Sequence, residues 1–368
     1  RRNKGFAYAI VEGRLHKGGD GKIFGVDDLV LRLLAPSEED RKIKVGYCTM
    51  DSVLGISPKD MEQYIAMQYG LMNSDVTLSF LCGSQGSGKT LLARTLPSIM
   101  PGLTIDESIE VTKIYSIAGL LPDHRPLVVE RPFRSPHHSI SSVALVGGGR
   151  IPGPGEISLA HRGILFLDEF PEFPRNALEA LRQPLEDGVV TISRAQGTLT
   201  FPARFTLVAS QNPCPCGYLS DTDRNCTCSP HQITNYKKKI SGPLLDRIDL
   251  HVEVPRVEFE KLSENNLSES SEKIRARVCA ARERQTFRFK NLPISTNTEM
   301  KNKEIKEFCQ IDDFSLNLLR LAVTQMHLSA RSYYRILKLA RTIADLNASD
   351  KIKTEHVAEA LQYRMKTE

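Results

Sequence analysis

Long hydrophobic runs are missing from this chain of 368 residues. No stretch approaches the ~18 uninterrupted apolar residues of a membrane-spanning helix, so no membrane partner is expected. The opening RRNKGFAYAIVEG is basic but lacks the apolar core of a secretory signal, which makes the cytoplasm the expected location. It also lacks an initiating Met, which leaves a fragment as one reading. A strong charge of one sign is absent too: 49 Lys and Arg against 44 Asp and Glu leave a formal net charge of +5. That imbalance permits a nucleic-acid partner without requiring one. With 40% hydrophobic and 25% charged residues, the composition is that of an ordinary globular protein. At ~150 residues per domain the length allows two or three domains. Of the eight cysteines, Cys48, Cys82, Cys279 and Cys309 are scattered, while Cys214, Cys216, Cys226 and Cys228 fall within 15 residues. In a reducing compartment such a cluster points to a metal before disulfides.

What is present is a phosphate-loop pattern. In LCGSQGSGKTLLA, the residues Gly83, Ser84, Gln85, Gly86, Ser87, Gly88, Lys89 and Thr90 match G-x-x-x-x-G-K-[ST] at every fixed position. The preceding VTLSFLC is β-branched and apolar, as a buried strand should be. Glycines let the backbone N–H groups point at phosphate oxygens, and a helix starting near Lys89 adds its positive end. Lys89 is placed to reach the β- and γ-phosphates of ATP, and Thr90 to hold Mg²⁺. A Gly/Ser-rich turn could match by chance, but the strand context disfavours that reading. GILFLDEF then supplies an apolar strand ending in Asp168 and Glu169. Asp168 suits the Mg²⁺ shell and Glu169 the polarisation of an attacking water. Many strands end in solvated acids; paired with the loop about 80 residues earlier, this one indicates hydrolysis of a nucleoside triphosphate. FTLVASQNP reads as a third buried strand whose tip, Asn212, would sit between the two loops and orient the lytic water. Taken singly, Asn-Pro is more often a turn.

Cys214-x-Cys216 and Cys226-x-Cys228 are separated by nine polar, turn-rich residues, GYLSDTDRN. Four thiolates can close a tetrahedral Zn²⁺ site, and four protein ligands leave no open position, so the zinc is expected to be structural. VVTISRAQGTLTF alternates about Ala195-Gln196-Gly197 and reads as a β-hairpin. Lys237, Lys238 and Lys239 form a basic run, either a solvated face or a surface that tracks DNA. Beyond about Pro255 the apolar residues fall at helical spacing, predicting a mostly α C-terminal domain.

From about Gly83 onward the chain resembles the ComM/YifB family of magnesium-chelatase-like AAA+ ATPases. The blocks that carry the resemblance are RPFRSPHHSISSVALVGGG, PGPGEISLAHRGILFLDEFPEF, ALRQPLEDGVVTISRA, NPCPCGY, SGPLLDRIDLHVEVP and LSARSYYRILKLARTIADL. The resemblance implies an α/β fold, a P-loop AAA+ core with a parallel sheet, followed by a mostly helical lid. It also implies a homo-oligomeric ring, a hexamer, acting as a motor on single-stranded or branched DNA, with branch migration in uptake and recombination. The family shares the four cysteines. Arg247 matches the family's arginine finger, although an arginine there could equally cap a helix or pair with Asp249. Arg331 matches the second-sensor arginine that reads the γ-phosphate from the lid. An insert within Ser135 to Ala160 would face substrate through Arg150, His137 and His138, unless the two histidines merely pack locally. The hairpin would enter the ring channel with Arg194 on a phosphate, or leave Arg194 facing solvent.

Residues 1 to about 82 do not fit that family. GISPKDMEQYIAMQYGLMNSDVTLSFLCGSQGSGKTLLA is instead similar, over residues ~55–82, to the approach to the Walker loop in PhoH-like ATPases. The expected division is therefore residues 1–50, unassigned apart from a short apolar run at GVDDLVLRLL; 51–255, an ATPase core with a zinc loop at 214–228; and 256–368, the helical lid. Three functions compete: a DNA-translocating motor, the ATPase subunit of a metal-insertion complex, and a regulatory ATP-binding scaffold. The intact Lys89, Asp168 and Glu169 argue against the third.

Overall fold

The computed structural model describes residues 8–11, 14–17 and 23–24, then 78–121, 126–149, 152–194, 197–219, 221, 224–245, 247–254 and 269–364. The chain divides into two compact units, Arg1–Thr49 and Met50–Glu368. In the first, strands β1 (Tyr8–Val11), β2 (Arg14–Lys17) and β3 (Ile23–Phe24) form an antiparallel sheet in that order. The apolar run GVDDLVLRLL and residues 55–77 of the PhoH-like stretch lie outside the described residues.

The second unit alternates strands and helices. Strand β4 (Leu78–Cys82) leads into α1 (Lys89–Ile99) and α2 (Ile105–Ile117). After β5 (Phe133–Arg134) come α3 (Ser142–Val146), the short pair β6 (Gly147–Gly148) and β7 (Gly153–Pro154), and α4 (Glu156–Leu159). Where loops and short hairpins were expected, the structure has the short β6–β7 pair together with two short helices, α3 and α4. Next are β8 (Ile164–Leu167), α5 (Arg175–Ala180) and α6 (Arg182–Asp187). The hairpin of β9 (Val189–Arg194) and β10 (Gly197–Pro202) precedes β11 (Thr206–Gln211). Helices α7 (Pro230–Lys237) and α8 (Gly242–Leu245) precede β12 (Leu250–Glu253). The C-terminal region is helical: α9 (Ser271–Arg288), α10 (Asn302–Phe308), α11 (Asp313–Gln325), α12 (Ala330–Leu346) and α13 (Thr354–Gln362).

Five strands form one parallel sheet in the order β12-β4-β11-β8-β5. A parallel sheet covered on both faces needs apolar residues on both, which is why its inner strands read as runs rather than alternations. All four residues of β8 and all six of β11 are buried. Successive side chains still point to opposite faces. Leu81, Phe166 and Val208 join α1 and the C-terminal helices in one core cluster, whereas Phe80, Leu165, Leu167, Leu207 and Ala209 join α5, α6 and the hairpin in the other. Each such Leu, Ile or Phe contributes ~1.5–3 kcal/mol when fully buried.

Parallel register fixes where the loops emerge. Gln211 pairs with Cys82, and Ala209 with Leu167. The segments beginning at Gly83, Asp168 and Asn212 therefore leave the sheet together at the carboxyl ends of its three inner strands, with β11 between the other two.

Two polar devices hold the packing. In the C-terminal region the fully buried Asp345 carboxylate pairs with Arg341 at 2.9 Å, accepts from Asn297 at 2.9 Å and pairs with Arg288 at 2.8 Å. The other guanidinium N–H groups of Arg341 donate to the carbonyls of Ser349 (2.6 Å) and Asp350 (2.7 Å), so the buried cation has hydrogen-bond acceptors besides the one carboxylate it shares with Arg288. In the core, His161 is buried with its Nδ1 accepting from the Arg204 backbone N–H at 3.0 Å. Its Nε2 then carries the proton and donates to Glu110 at 3.1 Å. Burial favours the neutral ring and lowers its pKa to about 4.

Candidate nucleotide-binding site

The loop after β4 is closed by Gly88, which caps α1 in the left-handed region (φ 89°) and offers no side chain to the helix end. Glycine alone adopts that conformation cheaply. The first turn of α1 carries no acid, so its free N–H groups suit an anion. Lys89 folds back over the loop, and its ammonium donates to the carbonyls of Gly83 (2.9 Å) and Ser84 (2.8 Å) and to Ser87 Oγ (3.5 Å). Burial lowers its pKa, opposed by the nearby charges of Cys82, Asp168 and Glu169. A desolvated cation beside carboxylates gains most from a multiply charged oxyanion. Gly86 lies in the left-handed turn between Gln85 and Ser87 (φ 78°).

The second element meets the first directly. Thr90 Oγ1 donates to Asp168 Oδ2 at 2.7 Å across 78 residues of sequence. The other Asp168 oxygen accepts from Ser210 Oγ on β11 and from the Glu169 backbone N–H at 3.1 Å. A hydroxyl and a carboxylate oxygen side by side are the hard donors that Mg²⁺ takes beside substrate phosphates, so the residues fit that ion. Glu169 itself has a left-handed backbone (φ 53°, ψ 47°), and its N–H also donates to Ser210 Oγ at 3.2 Å. Non-glycine residues held there mark a constrained position, of order 1–3 kcal/mol. Its carboxylate is half exposed and lies 3.4 Å from His138 Nδ1. The His138 and His137 rings meet tilted at 35° with centroids 4.0 Å apart, and His137 in turn meets Ser139 Oγ at 2.8 Å. The pair thus packs locally and also reaches Glu169. Their block is tied down where Arg134 makes two hydrogen bonds to Glu156, at 2.6 and 2.7 Å.

Asn212 follows the carboxyl end of β11. Its backbone hydrogen-bonds the Tyr236 phenol, which burial pushes up to about 12. Lys239, in the basic run, binds Glu172 at 2.9 Å on the surface.

The two candidate arginines form a second set. Arg247 donates to the Pro243 carbonyl at 2.6 Å, capping α8, and pairs with Glu186 on α6. Arg331 binds the same Glu186 oxygen at 3.2 Å. Burial would raise the Glu186 carboxyl, yet the two guanidiniums hold it below the usual carboxylate range. Asp249, weighed as a partner for Arg247, pairs with Arg335 at 3.0 Å. Arg194 ends β9 beside the hairpin tip, and Arg150 lies outside the described residues.

The four cysteines converge. Sγ of Cys214 lies 3.3 Å from that of Cys216 and 3.6 Å from that of Cys226, and all four sulfurs lie within 4.8 Å of one another. A tetrahedron with Zn–S of ~2.3 Å has sulfurs ~3.8 Å apart, so the set fits a zinc-sized ion. The N–H groups of Cys216 and Cys228 point at Cys228 Sγ and Cys226 Sγ, each at 3.4 Å. Backbone N–H groups of Tyr218 and Thr227 draw the Cys216 thiol down to about 6.

Sequence reasoning passed over Ser210, a hydroxyl inside an apolar strand, and Glu186, which reads as an ordinary surface acid in LEDG. It also missed that His138 meets Glu169. No local signal marks any of the three, because each partner arrives from a distant element.

The family described as magnesium chelatase, subunit ChlI, matches residues 77–262, and its C-terminal counterpart matches residues 268–364. YifB of Escherichia coli K12 is 42% identical over 320 residues, covering 85% of this chain and 62% of YifB, which is more than residues 83–368 amount to, so part of the stretch before Gly83 that was expected to lie outside the family matches it. Competence protein ComM of Haemophilus influenzae is 46% identical over 284 residues, covering 77% of this chain and 54% of ComM. DNA replication licensing factor mcm6 of Dictyostelium discoideum is 29% identical over 222 residues, covering 56% of this chain and 23% of that protein. The chain thus spans 62% of the length of YifB and 54% of ComM. No helix among the described residues is long and apolar enough to cross a membrane. With its five-stranded parallel sheet, its phosphate loop and its helical C-terminal region, the chain belongs to the magnesium chelatase ChlI-like family of AAA+ proteins.

Proposed function

We propose that this chain is the ATP-hydrolysing part of a ring-forming motor that acts on DNA. The observation that carries the hydrolytic reading is the meeting of Lys89, Thr90, Asp168 and Glu169 at the carboxyl ends of the inner strands, with Thr90 and Asp168 in direct contact. In this reading Lys89 and the loop N–H groups bind the β- and γ-phosphates of ATP. Thr90 and Asp168 hold Mg²⁺, which supplies charge stabilisation to the transferring phosphoryl group. Glu169 accepts the proton of the attacking water, and Asn212 orients that water. Arg247 and Arg331 leave Glu186 to meet the γ-phosphate, Arg247 across a subunit interface. A hexameric ring of a cytosolic protein accommodates this chemistry. The cysteines hold one structural Zn²⁺, and residues 256–368 act as the lid.

The DNA assignment draws support from the similarity to ComM and to the licensing factor. The hairpin of β9 and β10 is the proposed grip, through Arg194 and phosphate. ATPase activity should rise on adding single-stranded or branched DNA, and DNA binding should weaken steeply with salt. Indifference to every DNA tested would overturn the DNA reading. The family description favours one alternative, an ATPase subunit that drives metal insertion with a partner. Stimulation by such a partner, with DNA inert, would favour it.

A further inference from the structure

The four-cysteine loop rests on the phosphate loop. Gln85, a variable position of the G-x-x-x-x-G-K-[ST] pattern, donates its backbone N–H to the Gly217 carbonyl at 3.3 Å. The Tyr218 hydroxyl donates to Gln85 Oε1 at 3.4 Å. Arg224 in turn donates to that hydroxyl at 2.9 Å and lies over the Tyr218 ring, 5.3 Å from its centroid. Gly217 allows the approach: its φ is +83°, and a Cβ there would stand 3.2 Å from the Cβ of Gln85. The other end of the phosphate loop is held by the sheet, where the Gly83 N–H donates to the Gln211 carbonyl at 3.3 Å.

The residues that make these contacts are bracketed by the metal-ligand set. Gly217 and Tyr218 follow Cys216 directly, and Arg224 stands two residues before Cys226. The intervening segment is polar and has little apolar surface with which to fix its own shape. Its geometry therefore depends on what ties the two cysteine pairs together.

We propose that metal held by Cys214, Cys216, Cys226 and Cys228 braces the phosphate loop through Gly217 and Tyr218, so that occupancy of the four-cysteine site sets nucleotide affinity. The metal is a thiophilic divalent cation of the zinc class. With the site filled, Gln85 is held and the loop meets phosphate already ordered. With the site stripped, nucleotide must order the loop itself, which weakens binding. The brace makes nucleotide binding responsive to zinc supply. Tyr218 acts here as a positioning residue through Gln85.

This inference rests on the proposed zinc reading, and one calorimetric experiment separates the two. ADP is titrated, with excess Mg²⁺, into the full chain in three states: loaded with one equivalent of Zn²⁺, stripped by a chelator under reducing conditions and dialysed, and reloaded. Loss of two modest hydrogen bonds and their ordering should weaken ADP binding about tenfold on stripping, with recovery on reloading. Tyr218→Ala removes one of the two contacts and leaves the Gly217 carbonyl in place, so it should retain one zinc per chain, bind ADP about threefold more weakly when loaded, and lose only about a further threefold on stripping. One zinc per chain with equal ADP affinity in loaded and stripped wild type would overturn the brace and leave the zinc site standing. Absence of bound zinc would overturn both. Should circular dichroism show the stripped chain unfolded, loaded Tyr218→Ala decides: affinity equal to loaded wild type would overturn the brace.

Discussion

His161 gives the fold a specific acid sensitivity. The imidazole is fully enclosed, accepts from the Arg204 N–H and donates to Glu110, so only the neutral Nε2–H tautomer fits. Burial, opposed by Glu110 and reinforced by Arg162 and Arg204, lowers its pKa from 6.5 to about 4. The unfolded chain therefore binds more protons than the folded one between those values. Stability from this residue is fully present above pH 6.5, falls as pH drops, and levels off near pH 4. At pH 5 the loss amounts to about 2 kcal/mol. His251 is likewise lowered to about 4 by burial, but it is common to wild type and variant and cancels in their difference. His161→Asn keeps an acceptor near the Arg204 N–H and removes the titrating ring. The chain has no Trp, so urea unfolding is best followed by circular dichroism, at pH 7, 6 and 5. The variant should be less stable at pH 7 yet lose about 2 kcal/mol less than wild type between pH 7 and 5. Parallel pH profiles would refute the reasoning.

Asp345→Ala strands Arg341 and Arg288 in the C-terminal region and should cost about 3–5 kcal/mol, read as a lower urea midpoint. An unchanged midpoint would mean the network is not a structural tie. Arg247→Ala should bind ATP normally but turn over ~10³-fold or more slowly, and mixing it with Glu169→Gln subunits should restore hydrolysis well above either alone. If mixed rings confirmed by light scattering remain inactive, Arg247 is structural, capping α8 and pairing with Glu186.

The sheet was legible because β8 and β11 are buried on both faces, which forces apolar runs that a single sequence displays. The loop and the Asp168 strand were legible because their geometry is encoded locally, in glycine spacing and in the residue at a strand tip. The contact of Thr90 with Asp168 follows from parallel register once both strands are placed. What the sequence hid are the partners brought together by tertiary packing. Glu186 lies 61 residues from Arg247 and 145 from Arg331, and nothing in LEDG signals a shared acceptor. Tyr218 and Gln85 are separated by 133 residues, so the spacing of the cysteines suggested a metal but not what the loop leans on. His138 was weighed only as a packing residue or a substrate contact, and its place at 3.4 Å from Glu169 needed the fold.

The central claim is that Glu169 activates water at a site where Lys89, Thr90 and Asp168 bind Mg-ATP. Its most direct test incubates Glu169→Gln with radiolabelled ATP and Mg²⁺, isolates the protein by rapid gel filtration, and identifies the bound nucleotide. The account predicts that intact ATP is recovered on the variant, at wild-type affinity, with turnover reduced by at least ~10²-fold as expected for loss of a general base. Recovery of ADP at the wild-type rate would contradict it.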